Sequence, residues 1–121
     1  MQEREVINLL KNQFNFNSES ISDIKIFVKE LINANKKHNF ISKSTENVIW
    51  HRHILDSAQL VKFIDFSSNS LADLGTGAGF PGLVLAIFNT NKAFHVKLYE
   101  KSPVKRNFLM KVIKELGLNA M

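Results

Sequence analysis

At 121 residues, 45% apolar and 22% charged, the chain has the length and mix of one modest globular domain, which excludes an intrinsically disordered segment. Its longest apolar run is about six residues against the ~20 a bilayer crossing needs, and the acidic start MQEREVINLL has no signal-peptide core, so no membrane partner and a cytoplasmic location are expected. The absence of cysteine excludes disulfides, zinc–thiolate sites and cysteine nucleophiles, while a net charge of +5 is compatible with an anionic partner without naming one.

In chain order, Glu3 to Gln13 reads as a short helix, with Val6, Leu9, Leu10 and Gln13 at helical spacing. The polar patch Asn15 to Ser20 ends it. Ser20 followed by Asp23 resembles a capping box, and behind it Ile21, Ile24, Val28, Leu31 and Ile32 line one helical face. This packing helix should end in the polar run Asn33 to Asn39. Between Phe40 and Phe66, Ser44 or Thr45 can cap a short helix through Trp50, after which Ile54, Ala58, Val61 and Phe63 or Ile64 recur at helical spacing.

That segment contains His51-Arg52-His53-Ile54-Leu55-Asp56-Ser57. On a helix, His51 and His53 point about 200° apart, so they do not readily share a metal, and no metal site is expected. His53, Asp56 and Ser57 are residue types of a hydrolase triad, but such triads are assembled in space rather than in sequence. The plainer expectation is that His53 and Asp56 hydrogen-bond within the helix or brace a neighbouring loop.

Ser67 to Ser70 is a polar hinge, which divides the chain into a helical region, 1–67, and the start of an α/β unit, 68–121. Leu71 to Leu74 reads as a strand, Phe80 to Asn89 as a helix and Ala93 to Glu100 as a second strand. Ser102-Pro103 then caps a helix with Val104, Phe108, Leu109, Val112, Ile113 and Leu116 on its apolar face, closed by Gly117 and Leu118. Strand, helix, strand, helix implies a parallel sheet wound by right-handed crossovers. Leu118 to Met121 should lead into a third strand. Two parallel strands make an incomplete sheet, so the sequence reads as a fragment or truncated product of something longer.

Leu71 to Gly82, LADLGTGAGFPG, is the stretch on which the rest depends. Asp73 closes the strand, and Gly75, Gly77 and Gly79 alternate after it, with Gly82 beyond. Such density suits a backbone that turns sharply and lets a ligand approach without meeting a Cβ, next to the free N–H groups of a helix start. Gly77 to Gly82 matches G-x-G-x-x-G, the dinucleotide fingerprint, but Pro81 falls where the fingerprint helix should be regular. Asp73 to Gly79 matches D-x-G-x-G-x-G, the first motif of methyltransferases that use S-adenosylmethionine. In either case an acid closing the second strand, Glu100, can accept hydrogen bonds from ribose hydroxyls.

Four blocks together make the chain resemble the RsmG (GidB) family, the bacterial 16S ribosomal RNA guanine-N7 methyltransferases. They are Asn35-Lys36-Lys37-His38-Asn39-Phe40, Arg52 to Ser57, Asp73 to Gly82, and Glu100 with Lys105-Arg106, Phe108-Leu109 and Glu115 to Leu118. Ala34 and Phe40 depart from the family's usual tryptophan and leucine, as packing changes, and the family continues through further strands. The resemblance implies a Rossmann-like class I methyltransferase fold with an N-terminal helical cap. It implies S-adenosyl-L-methionine as cofactor and 16S rRNA of the small ribosomal subunit as partner.

It further implies that backbone at Gly75, Gly77 and Gly79 cradles the methionine end of the cofactor and that Phe80 lines the same site. Asp73 would orient the amino group and Glu100 the ribose. Arg52, His53 and Asp56 would brace the loop or face RNA, and no residue is assigned as catalytic, because guanine N7 has a free lone pair and needs alignment rather than a base. Lys101, Lys105, Arg106, Lys111 and Lys114 form one basic face, and Lys36, Lys37 and Lys43 another; each is a solvated surface or a phosphate contact. Two other readings remain, a non-catalytic RNA-binding remnant and a nicotinamide- or flavin-dependent oxidoreductase. Nothing in the sequence indicates an oligomeric state.

Overall fold

The computed structural model describes residues 2–121, and it places helices first and a strand–helix–strand–helix unit after them. Helix α1 is Glu3–Asn12, α2 is Ser18–His38 and α3 is Lys43–Glu46. A continuous helical stretch then changes pitch twice, from a π-helical turn at Trp50–Leu55 through α4, Asp56–Ala58, to a 3₁₀ turn at Gln59–Phe63. Strand β1 is Ser70–Leu74, α5 is Gly82–Phe88, β2 is His95–Tyr99 and α6 is Pro103–Leu116.

Local chemistry sets the ends of α2, though not at the expected residue. Asn17, not Ser20, is the cap: its side-chain oxygen accepts the Ser20 N–H at 2.7 Å. Ser20 lies inside the helix and buried, where its hydroxyl donates to the Ile87 carbonyl at 3.0 Å and fastens α2 to the end of α5. At the other end, Asn39 takes the left-handed conformation with φ +47°. Buried Asn35 donates to the Glu46 carboxylate at 2.8 Å and accepts the Ile41 N–H at 2.9 Å, which folds the chain back into α3. The cap of α3 is Ser42, upstream of the expected Ser44 or Thr45.

Helix α6 follows its sequence signals closely. The Ser102 hydroxyl accepts the Lys105 N–H at 3.3 Å, Pro103 occupies the first turn, and Gly117 at φ +63° closes the helix while Leu118 donates back to the Ile113 carbonyl at 3.0 Å.

The two strands are parallel, paired from Ser70 opposite His95 to Leu74 opposite Tyr99. On the far edge of β2, the Val96 N–H donates to the Asn119 carbonyl, and Met121 and Val96 pair in return at 3.0 Å. Residues 119–121 therefore begin a third parallel line, as expected. Leu71, Val96 and Leu98 face the helices, whereas Leu74 and Tyr99 lie on the opposite, exposed face.

The core gathers Val6 and Leu10 of α1, Phe27 and Leu31 of α2, Ile54, Leu83 and Leu85 of α5, and Phe108 and Val112 of α6. One apolar cluster thus joins the helical region to the strand–helix unit. Of the two expected alternatives at the end of the 3₁₀ turn, Ile64 packs against this core and Phe63 is 83% exposed.

Asn17→Ala is expected to lower folding stability by about 1 kcal/mol, the usual worth of an N-cap. Urea unfolding of this variant beside Ser20→Ala, which removes an interhelical hydrogen bond of similar size, would separate the two roles. Helix content at the N-terminus of α2 should respond to Asn17→Ala, and the packing of α2 on α5 to Ser20→Ala.

Candidate functional site

The site is built where β1 runs out. The Tyr99 carbonyl at the end of β2 accepts two successive N–H groups, from Gly75 at 2.8 Å and Thr76 at 3.1 Å, so the chain leaving β1 is drawn across the end of its neighbour. Gly75, Gly77 and Gly79 have φ of +75°, +59° and +112°. A side chain in that region is strained, and a Cβ built on Gly75 or Gly77 would meet no atom within 4 Å. Those two glycines border open space. Gly82 is the opposite case: a Cβ there would overlap Leu98 and lie 2.8 Å from Asp73 Oδ2, because α5 starts hard against the strands.

Two carboxylates hold the loop. Glu100 Oε1 accepts the Gly77 N–H at 2.8 Å and its Oε2 accepts the Ser102 N–H at 3.0 Å. Those bonds, Ser102 first and Gly77 second, hold the carboxyl below its ordinary value of 4.5, with the charge of Lys105 adding to the effect. Glu100 therefore contributes stability above that ordinary value and loses it as the pH falls through its lowered one. Asp73 Oδ2 accepts the Gly82 N–H at 2.9 Å. The first amide of α5, expected to be free for a ligand, is thus already taken. Each carboxylate oxygen keeps a further lone pair, so both acids can still accept from a bound hydroxyl or ammonium.

Phe80 is held by its ring. It stacks on His53 at a centroid distance of 4.6 Å and an interplanar angle of 19°, and it meets Phe27 of α2 at 5.4 Å. His53 makes no hydrogen bond to Asp56 among the described residues; it braces the loop through this face instead. Burial is the main reason its imidazole sits below the ordinary 6.5, with Asp56 opposing and Arg52 assisting. Arg52 and Asp56 are exposed and line a shallow cleft of about 280 Å³ with His53, Phe80 and Pro81. The Arg106 guanidinium donates to the Glu100 and Lys101 carbonyls at 3.0 and 2.9 Å, which pins the turn between β2 and α6.

Asp73, Gly75, Gly77, Gly79, Phe80 and Glu100 accordingly converge on one loop, with His53 behind it and Lys105 and Arg106 beside Glu100. Sequence reasoning missed Thr76, which is 2% exposed and whose Oγ1 has no partner among the described residues. It also missed Phe27, whose packing on Phe80 depends on a fold no local pattern displays. The position of Thr76 between two glycines was its only visible signal. Among the described residues no group of three or more side chains is arranged to ligate a metal, and no helix is long and apolar enough to cross a membrane.

The GidB family model, described as rRNA small subunit methyltransferase G, matches residues 20–121. The ribosomal RNA small subunit methyltransferase G of Pelagibacter ubique is 44% identical over 115 residues, covering 92% of this chain and 54% of that protein. The proteins of the same name from Bartonella henselae and Syntrophomonas wolfei are 40% and 41% identical, over 98% and 79% of this chain and 55% and 44% of their own. The chain spans about half the length of these relatives.

Gly82→Ala is expected to destabilise the fold by about 1–3 kcal/mol, as overpacking does, and Gly77→Ala by about 1–2 kcal/mol through its backbone alone. Denaturant midpoints check both, and structures of the variants should show α5 displaced only in the first. A second expectation concerns pH. Because the folded state keeps His53 neutral, stability should fall as the pH drops below 6.5 and the unfolded chain takes up the proton first. His53→Phe, which keeps the stacking and removes the proton, should flatten that acid-side loss in thermal melts at a series of pH values.

Proposed function

The chain belongs to the GidB family of rRNA small subunit methyltransferases G, and on that premise we propose that it uses S-adenosyl-L-methionine to methylate N7 of a guanine in 16S rRNA. The observation that carries the reading is the loop Gly75 to Phe80, pinned to the end of β2 and open above Gly75 and Gly77. The residues present suit the cofactor. The open glycine backbone accommodates the methionine end, with Asp73 toward its ammonium and Glu100 toward the ribose hydroxyls. The partner is the small ribosomal subunit, and a cytoplasmic location belongs to the same proposal.

The cofactor supplies an electrophilic methyl group on a sulfonium. The chain has to align it with N7, whose lone pair attacks without losing a proton, so no side chain has to act as a base. Gly77 and Gly79 set the loop's path, Glu100 holds that path at one end, and Phe80, wedged between His53 and Phe27, fixes the other. Alignment of this kind converts binding energy into rate without acid–base chemistry. The carboxylates of Asp73 and Glu100 also suit a reaction in which a positive charge passes from sulfur to the purine.

Isothermal titration with S-adenosylmethionine, S-adenosylhomocysteine and NAD is the first test. Saturable binding of both adenosyl ligands and none of NAD is expected, with at least a ten-fold loss in Gly77→Arg. Small subunits incubated with methyl-labelled cofactor should then yield 7-methylguanine on nuclease digestion. Preferential NAD binding, or label on another atom, would overturn the reading.

A further inference from the structure

A sizeable cavity lies away from the glycine loop. It is a groove of about 680 Å³ between the C-terminal half of α2 and the first turns of α6, lined by Lys36, Lys37, His38, Phe40, Phe108 and Lys111 among others. Resting on the methyltransferase reading, we propose that this groove seats one unpaired nucleotide of the substrate RNA. The base would stack on the His38–Phe40 platform, and its flanking phosphates would meet Lys36, Lys37 and Lys111.

Three observations support the assignment. The volume is that of a small-ligand site rather than a helix-wide trough. The His38 and Phe40 rings are close to parallel, 16° apart with centroids 5.5 Å from each other, and Phe108 closes the inner side 5.4 Å from Phe40. A cationic groove with stacked aromatic rings in its lining is the combination that holds single strands, because every base has a π-face and every linkage a charge. Duplex offers no free base face. An apolar peptide helix would have to leave three lysines beside its buried side.

Lysines in the last turn of α2 also complement the helix dipole, but that role requires neither the stacked pair nor a lysine contributed by α6. Glu30 is the one carboxylate in the lining among the described residues; it pairs with Lys111 Nζ at 2.9 Å across the two helices. An incoming phosphate would compete with Glu30 for Lys111.

The groove also connects through the core to the glycine loop. Phe108 meets Phe27 at 6.4 Å and Phe27 meets Phe80 at 5.4 Å, so an unbroken line of rings joins the platform to the cofactor loop. Helix α6 begins directly after the Glu100 turn, so the end of the helix that lines the groove is the one nearest the loop.

The test uses the whole chain and a fluorescent single-stranded decaribonucleotide, with 2-aminopurine moved along it. Lys36→Gln combined with Lys37→Gln should raise Kd about ten-fold at low salt and reduce the salt slope, by roughly 0.7 for each phosphate that is no longer neutralised. Glu30→Gln, which frees Lys111, should tighten binding. Phe40→Leu should weaken binding and abolish the 2-aminopurine quenching that stacking produces at one position; thermal melts and S-adenosylmethionine titration confirm that each variant is folded. Unchanged RNA affinity in the lysine variant, absence of any quenched position, or equal affinity for inorganic polyphosphate of matched charge would each overturn the groove assignment. Failure of the wild type to bind S-adenosylmethionine would instead count against the methyltransferase reading, while the RNA titration still judges the groove.

Discussion

The hydrogen bond between Glu100 and the Gly77 N–H joins segments 23 residues apart, and much of the molecule is arranged to make it. The carboxylate stands at the end of β2 only because β1 and β2 are parallel and in register from Ser70 and His95 onward. Parallel pairing in turn requires α5 as the crossover, and α5 fits against the strands only because Gly82 carries no side chain. The other oxygen of Glu100 accepts from Ser102, the residue that caps α6. A single ionised group therefore ties the glycine loop to the start of the next helix, and Arg106 holds the turn in which it sits.

The sequence was most legible where structure is governed by neighbours in the chain. Helix α6 is an example, since Ser102, Pro103 and Gly117 each act within one turn of themselves. The glycine loop is another, because three alternate glycines before a helix point to positive φ, which all three adopt. The cap of α2 was less legible. Asn17 and Ser20 both lie in one polar run, and what distinguishes them is the Ile87 carbonyl, 67 residues away, which claims the Ser20 hydroxyl. The stretch around His53 left two expectations open, a hydrogen bond to Asp56 or a brace on a neighbouring loop. Its π-helical turn breaks the 3.6-residue spacing, so the expected His53–Asp56 hydrogen bond gives way to a ring stacked on Phe80.

The candidate site shows the same division. Asp73 and the glycines were readable from one motif and Glu100 from the end of the second strand, whereas the packing that places the walls was not. Phe27, His53 and Phe80 come from α2, the π-helical turn and the loop, and no periodicity links them. Thr76 was hidden because a hydroxyl between glycines looks like ordinary turn chemistry until its burial is known. Site chemistry carried by backbone and charge is visible early; site shape carried by tertiary packing is visible only in the fold.

The proposed reaction draws on both kinds of feature. Methyl transfer to N7 leaves positive charge on the purine, so the surroundings gain by offering carboxylates and by withholding cations. Asp73 and Glu100 meet the first condition, with the second acid kept ionised by two backbone donors. His53 meets the second. Among the described residues it is the one imidazole in ring contact with Phe80, and burial disfavours its charged form, so the ring packed on Phe80 adds no cation. The burial that lowers the His53 pKa is thus also what makes it compatible with a cationic product. Guanine N7 gives up no proton in this reaction, so the neutral imidazole of His53 serves there as a packing ring and has no proton to accept.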